Sequence, residues 1–260
     1  MDRPASHPPA KPAAAERIFT AAVIVIGNEI LSGRTQDANI AFLAQALNEQ
    51  GVRLRECRVI PDVTETIVAT INEVRQRFDY IFTTGGIGPT HDDITAAAVA
   101  KAFGVDLLLN EEARSLLQSR YGADRPLNEA RLRMAHVPDT ATLIDNPISA
   151  APGFQIGNVF VLAGVPAIAR AMFDSLRGNL LGGAPVVSRT VNCRLPEGTI
   201  AADLEAIQDR YPDIDIGSYP MWSNEGPMTS LVLRGTDPDA LDRAAAEIEA
   251  MIERLAGLER

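Results

Sequence analysis

Tyr80-Ile81-Phe82-Thr83-Thr84-Gly85-Gly86-Ile87-Gly88-Pro89-Thr90-His91-Asp92-Asp93 decides how the rest of the chain is read. An apolar run enters a glycine-rich turn, and the alanine-rich stretch beyond it, Thr95 to Phe103, reads as a helix. Strand, glycine loop and helix N-terminus in that order present backbone N–H groups and the positive end of a helix dipole to an anion, usually a phosphate. Gly85, Gly86 and Gly88 allow positive φ and a close backbone approach, while Thr84, Thr90 and Thr95 offer hydroxyl donors and His91 a ring nitrogen. Asp92 and Asp93 follow at once. Carboxylates beside a phosphate repel it unless a divalent cation lies between, so the loop points to phosphate and metal together. Each residue also suits a plainer duty: the glycines a turn, the acids a helix start, Thr95 a bond to its own backbone, His91 a solvated loop position.

Upstream, Ala21 to Ile26 is continuously apolar, as expected of a strand covered on both faces. Ile40, Leu43 and Leu47 predict a helix that starts near Asp37 or Asn39 and ends at Gly51. Leu54 to Ile60 reads as a strand, and Asp62, with Glu65 three residues on, as the cap of a helix that buries Ile67, Ile71, Val74 and Phe78. Downstream, Glu111 to Tyr121 and Leu127 to Ala135 read as polar helices, lid or side elements. Asn146-Pro147-Ile148-Ser149 and Pro152-Gly153-Phe154 read as turns, Asn158 to Leu162 as a buried strand and Ala167 to Leu176 as a closing helix. The alternation predicts an α/β fold of βαβ units around a mostly parallel sheet.

Gly178 to Pro185 is the linker candidate. Beyond it, Val186 to Cys193, a helix from Thr199 to Arg210, strands near Ile214 to Ile216 and Thr229 to Leu233, and a last helix capped by Asp237 with Pro238 at its first position make a small C-terminal α+β domain. The expected division is a tail (1–17), a main domain (18–178) and a small domain (186–258). Tyr219, Trp222 and Asn224 lie on a glycine- and proline-rich loop that either covers the site or packs the small domain.

With 260 residues, 46% of them hydrophobic, the chain can bury one sizeable core and a second small one. A net charge of −10 argues against a broad footprint for nucleic acid or anionic membrane, and neither partner is expected. Cys57 and Cys193 are far apart without CxxC spacing, which fits a reducing cytoplasm and indicates neither a disulfide framework nor a zinc site. Pro4, Pro8, Pro9 and Pro12 among alanines mark a disordered tail. The run Ile18 to Ile26 ends at Gly27-Asn28-Glu29 without a cleavage pattern, so it reads as a strand rather than a signal peptide. No GxSxG, P-loop lysine or HExxH string appears, which removes the commoner hydrolase and kinase readings.

Ligands of open α/β sheets bind at the carboxyl edge, near a change of strand order. Three loops follow apolar runs and converge there on this reading: Gly27-Asn28-Glu29-Ile30-Leu31-Ser32-Gly33, Thr84 to Asp93, and Ala163-Gly164-Val165-Pro166. Glu29 is a third candidate carboxylate or an ordinary surface glutamate. Ser32 and Asn39 are contacts to a nucleotide or pterin, or helix caps. His136 and His7 have no evident partner.

Those loops, with Ile94-Thr95 and Ala151-Pro152-Gly153-Phe154, resemble the molybdopterin-binding-like superfamily over about residues 20 to 178. The nearest likenesses are the N-terminal domain of competence/damage-inducible protein A and the molybdopterin-binding-like domain of eukaryotic FAD synthases. The resemblance implies a three-layer α/β/α sandwich whose glycine loop binds molybdopterin or nucleotide phosphates. In those two groups it implies a metal-dependent pyrophosphatase that splits ADP-ribose or FAD, with magnesium, manganese or cobalt as the divalent metal. Carried onto this chain, the resemblance puts Gly85, Gly86, Gly88 and Thr90 on the phosphates and Asp92 or Asp93 at the reactive centre, and the loop reading adds Ser32, Thr84, Pro89, His91, Thr95, Gly164 and Pro166 as expected phosphate or nucleotide contacts. Asp92 and Asp93 form the catalytic pair, and the two with Glu29 the metal ligands. A molybdopterin adenylyl-transfer or molybdopterin-binding protein, and a non-catalytic nucleotide- or pterin-binding module, are the alternatives; a homo-oligomer is the expected assembly.

Two departures bear on this. Neither the nicotinamide-mononucleotide deamidase domain of the damage-inducible proteins nor the adenylyl-transferring domain of FAD synthases is present, so FAD synthesis is not expected. Asn28 stands where many relatives have the acid of Gly-Asp-Glu, leaving Glu29 as the first loop's carboxylate.

Overall fold

The computed structural model describes residues 17–122, 126–223 and 226–258. The expected disordered tail lies outside them except for Arg17, as do His7 and Asn224. The chain forms two compact units that part between Gly183 and Ala184.

In the first unit the order is β1 (Phe19–Ile26), α1 (Asn28–Leu31), α2 (Asn39–Glu49), β2 (Val52–Ile60), α3 (Thr64–Val74), β3 (Tyr80–Thr84), α4 (Thr95–Phe103), β4 (Leu107–Leu109), α5 (Glu111–Tyr121), α6 (Glu129–Arg133), β5 (His136–Pro138), β6 (Thr142–Ile144), β7 (Gly153–Ile156), β8 (Val159–Leu162) and α7 (Pro166–Leu176). The described residues place six strands in one sheet, ordered β2-β1-β3-β8-β7-β6. The first four run parallel, whereas β7 and β6 join antiparallel at one edge; β2 is the other edge.

Alternate side chains of the central strands feed two cores. Ala22, Ile24, Ile26, Ile81 and Val161 pack with Ile67, Ile71 and Val99 of α3 and α4, while Ala21, Val23, Val25, Phe82 and Leu162 pack with Leu43, Leu47, Met172 and Phe173 of α2 and α7. Continuous apolar strands and one-sided helices thus produce an α/β/α sandwich. Phe82 and Phe160 stack between neighbouring strands at 5.0 Å, an arrangement favourable for aromatic pairs.

The structure corrects several expectations. Asp62 does not cap α3: the preceding residue is Val63, which makes no side-chain cap bond, and Asp62 accepts the Asn28 amide at 2.8 Å instead. The first glycine loop contains α1, a single turn. Pro152-Gly153-Phe154 opens strand β7 rather than a turn, because Gly153 and Phe154 continue the antiparallel ladder with β6 and β8. The helix expected over Leu127 to Ala135 is only α6, whose cap Asn128 accepts the Arg131 amide at 2.9 Å. The linker candidate is tied to the first unit as far as Gly183: Leu180 is buried, the Tyr80 hydroxyl donates to Leu181 O at 3.0 Å and accepts Leu181 N–H at 2.9 Å, and Gly183 N–H donates to Gly51 O at 3.0 Å.

The second unit contains β9 (Val187–Cys193), α8 (Glu197–Arg210), β10 (Asp215–Ser223), β11 (Gly226–Gly235) and α9 (Pro238–Leu258), with an antiparallel sheet ordered β10-β11-β9. Leu231 and Leu233 bury against Ile200 and Ile207 of α8 and Leu241 and Ile248 of α9. β10 runs well past Ile216 as the outer arm of a hairpin. On it Trp222 is 84% exposed, so it does not pack this unit. No helix among the described residues is long and apolar enough to cross a membrane.

Candidate functional site

β1, β3 and β8 are parallel neighbours, so their carboxyl ends deliver all three loops to one edge, where strand order reverses between β2-β1 and β1-β3. Glycines let the loops meet. Gly85 has φ +101°, and a Cβ there would strike the carbonyl of Ile26 at the end of β1; one on Gly164 would lie 3.2 Å from Gly85 Cα. Gly86, at φ +68°, turns its Cα side toward the Thr95 side chain. That threonine is fully buried, its hydroxyl donates to Gly85 O at 2.9 Å and its amide donates to Gly86 O at 2.9 Å. Thr95 is therefore the inner clasp of the loop and not a phosphate donor.

Asp93 closes the outer side. Its Oδ2 accepts the Thr90 amide at 2.8 Å and the Thr90 hydroxyl at 2.6 Å. Thr90 thereby spends its donors within the loop. Thr84 is 1% exposed with a hydroxyl that meets no acceptor among the described residues, so it lies beneath the loop instead of facing a ligand. Ser32 donates to Glu29 O at 3.2 Å as a local helix-end bond. The amides of Gly86, Ile87 and Gly88 take no acceptor among the described residues, which leaves consecutive donors at the loop crest of the kind that cradle anions.

These pieces line a cleft of about 570 Å³. Of the expected residues it gathers Glu29, Gly85, Gly86, Gly88, Pro89, Asp92, Asp93, Gly164 and Pro166, and it omits Ser32, Thr84, Thr90, His91 and Thr95. His91 stands exposed at the loop's tip. The cleft also takes in Asp62, Asn146 and Ser149, which sequence reasoning missed as site residues. Asp62 follows the end of a fourth parallel strand, so the rule that picked the other loops applied to it as well. Asn146 is 3% exposed and braces its own loop, donating to Ser149 Oγ at 2.5 Å and Ala151 O at 2.7 Å. Asn39, equally buried, donates to Gly164 O at 2.9 Å and so holds the third loop from below; its Oδ1 has no partner among the described residues.

Glu29, Asp62, Asp92 and Asp93 line the cleft, and among the described residues no lysine, arginine or histidine does. The Thr90 hydroxyl and Asp92's own amide, with His91 beside it, hold the Asp92 carboxyl below the ordinary carboxylate value. Among the described residues no three carboxylate, histidine or cysteine side chains lie close enough to hold a metal ion by themselves. Glu29, Asp92 and Asp93 thus share a cleft without forming a ready-made cage. Such a donor set fits a cation of the magnesium type, which commonly takes one or two carboxylates and completes its shell with ligand phosphates and water.

A family described as a probable molybdopterin binding domain matches residues 22–181, and the middle domain of FAD synthase matches residues 185–256. A protein of Pyrobaculum calidifontis is 33% identical over 250 residues, covering 92% of this chain and 95% of that relative. A protein of Thermococcus kodakarensis is 33% identical over 249 residues, covering 90% and 98%. Among solved structures, the protein CinA of unknown function from Thermoplasma acidophilum is 34% identical over 62% of this chain and 98% of its own, with a TM-score of 0.59. The match spans the sandwich and all three cleft loops, and the chain belongs to the family of probable molybdopterin binding domains.

Proposed function

We propose that the cleft binds a small phosphorylated molecule, a pterin or a nucleotide, together with a divalent cation. The observation that carries this reading is the cleft's charge: among the described residues four carboxylates and no basic side chain surround a crest of amides that take no acceptor. Amides alone draw a phosphate in, the carboxylates repel it, and a cation reconciles the two. Asp92 and Glu29 are the residues that would hold it, because Asp93 is engaged by Thr90 and Asp62 by Asn28. A bound cation would offset phosphate charge. The chain's own part is to fix the loop through Asp93 and Thr95 and to keep the Asp92 carboxylate ionised. Calorimetric titration of ADP-ribose and a pterin phosphate, each with and without magnesium, tests the reading; binding that is unchanged when magnesium is removed would overturn it.

Hydrolysis of the pyrophosphate in ADP-ribose or FAD is the second reading, favoured by the ionised carboxylate of Asp92 on the cleft wall. An anionic carboxylate beside a scissile phosphate can accept a hydrogen bond from an attacking water and orient it. Release of AMP with magnesium, manganese or cobalt, lost in Asp92→Asn, is the expected result. Equal release by wild type and variant would sink it.

A further inference from the structure

α5 carries a charge pattern that one copy of the chain leaves unmatched. Its inner face is settled, with Ala113 and Leu117 buried in a small cluster beside Ala135. Of its charged side chains, Glu111 and Arg114 pair with each other at 2.8 Å. The remaining two, Glu112 and Arg120, are exposed and make no hydrogen bond or ion pair with a described residue. Leu116, halfway between them, is 38% exposed. Leu108 and Leu109 of β4 are exposed as well and lead into the helix through its cap, Asn110.

Residues four apart share a helix face, so Glu112, Leu116 and Arg120 form one row of acid, apolar and base. At the rise of an α-helix the acid and the base stand about 6 Å to either side of the leucine and about 12 Å from each other, too far to meet. When the same row is laid antiparallel on itself about a twofold axis through Leu116, leucine faces leucine and each Glu112 faces the partner's Arg120. Such a contact is isologous, the same patch on both molecules. The row follows the ridge of residues four apart, and two such ridges interdigitate when the helices cross at about −50°, the commonest packing class. On a chain of net charge −10 the average surface repels a second copy; this row has acid and base in equal number, and the symmetry brings opposite signs together. We propose that the outer face of α5 is the surface through which two copies of this chain associate, with Leu116 at its centre and a Glu112–Arg120 pair at each end. One helix row is small beside stable interfaces, which bury about 1,200 to 2,000 Å², so the dimer forms weakly and reversibly. The inference is independent of what the cleft binds.

Sedimentation equilibrium of the full chain tests it, from about 5 to 500 µM, the span in which weak interfaces dissociate. Wild type should show a monomer–dimer equilibrium. Glu112→Arg and Arg120→Glu each turn two attractive contacts per dimer into two repulsive ones, and each should weaken self-association about tenfold and by no less than about threefold. Mixed in equal amounts, the two single variants form a dimer with opposite charges at both ends and should recover wild-type association within about threefold. Circular dichroism verifies folding. Leu116→Asp, which sets two carboxylates together at the axis, serves should either charge variant fail to fold; association within about threefold of wild type would then overturn the proposal. It is equally overturned if wild type stays monomeric to the top of the range, if either single charge variant associates within about threefold of wild type, or if the mixture does not recover.

Discussion

Gly86→Ala is the sharpest test of how the glycine loop is held. The substitution puts a methyl group on a residue at φ +68°, where an L side chain costs about 1 kcal/mol or a little more. It also drives that methyl into Thr95, whose Cβ would lie 3.2 Å away and whose hydroxyl would be closer still. Thr95 cannot swing aside freely. It is fully buried, and rotating it breaks the 2.9 Å bond to Gly85 O, worth about 1 to 1.5 kcal/mol. Crowding adds about 1 kcal/mol, so the expected loss is about 3 kcal/mol, or about 6 to 12 °C in the melting of a unit this size. Gly33→Ala is the control: its φ is +71° but a Cβ there meets nothing within 4 Å, so it carries the strain alone. Native-state hydrogen exchange read by peptide is the assay, since the second unit then serves as an internal reference. The double variant Gly86→Ala, Thr95→Ala should lose less than the sum of the single losses by at least about 1 kcal/mol. Strict additivity, or equal losses for Gly86→Ala and Gly33→Ala, would refute the clasp.

Three further outcomes follow from named contacts. Arg58 and then Arg77 hold the Glu73 carboxyl at about 2, below its ordinary 4.5, with Arg58 bound to both oxygens at 2.6 and 2.8 Å; the contribution is complete above pH 4.5 and fades as pH falls toward 2. Glu73→Gln should therefore lower the urea midpoint at pH 7 by more than it does at pH 3. Asn39→Ala removes the bond under Gly164 and with it the unpaired Oδ1, so stability should fall by only about 1 kcal/mol while exchange in residues 163–166 rises. Tyr80→Phe deletes both bonds to Leu181 and should expose residues 180–183 to protease at little cost to the rest of the unit, about 1 kcal/mol in urea titration.

The central sheet was legible because its strands are long enough to show their environment: Ala21 to Ile26 reads as buried on both faces, and it is. The antiparallel edge was not. β6 and β7 have three and four residues, too few for a period, and Pro152 ahead of Gly153 imitates a turn. α1 was hidden for the same reason, a single turn bracketed by Gly27 and Gly33. In the site, the three loops were legible as strand ends, but the use of their side chains was not. Thr84, Thr90, Thr95 and Asp93 all look like ligand contacts in sequence, and what distinguishes them is which donors the backbone has already claimed. Asp62 failed differently, since its contact with Asn28 joins positions that only the β1–β2 pairing brings together.

The two ends of the central sheet are finished in different ways, and this bears on how the chain avoids sticking to itself. An outer strand is a row of open backbone groups that another chain can extend. β6 leaves only three residues to copy. β2, nine residues long, is the greater hazard, and it carries Arg53 and Arg55 ahead of Glu56 and Arg58, which pair with each other. A second molecule aligned there in register would bring like charges side by side. Replacing Arg53 and Arg55 with threonine would keep the strand's preference for extended structure and remove that repulsion, turning a guarded border into a template for fibrous growth.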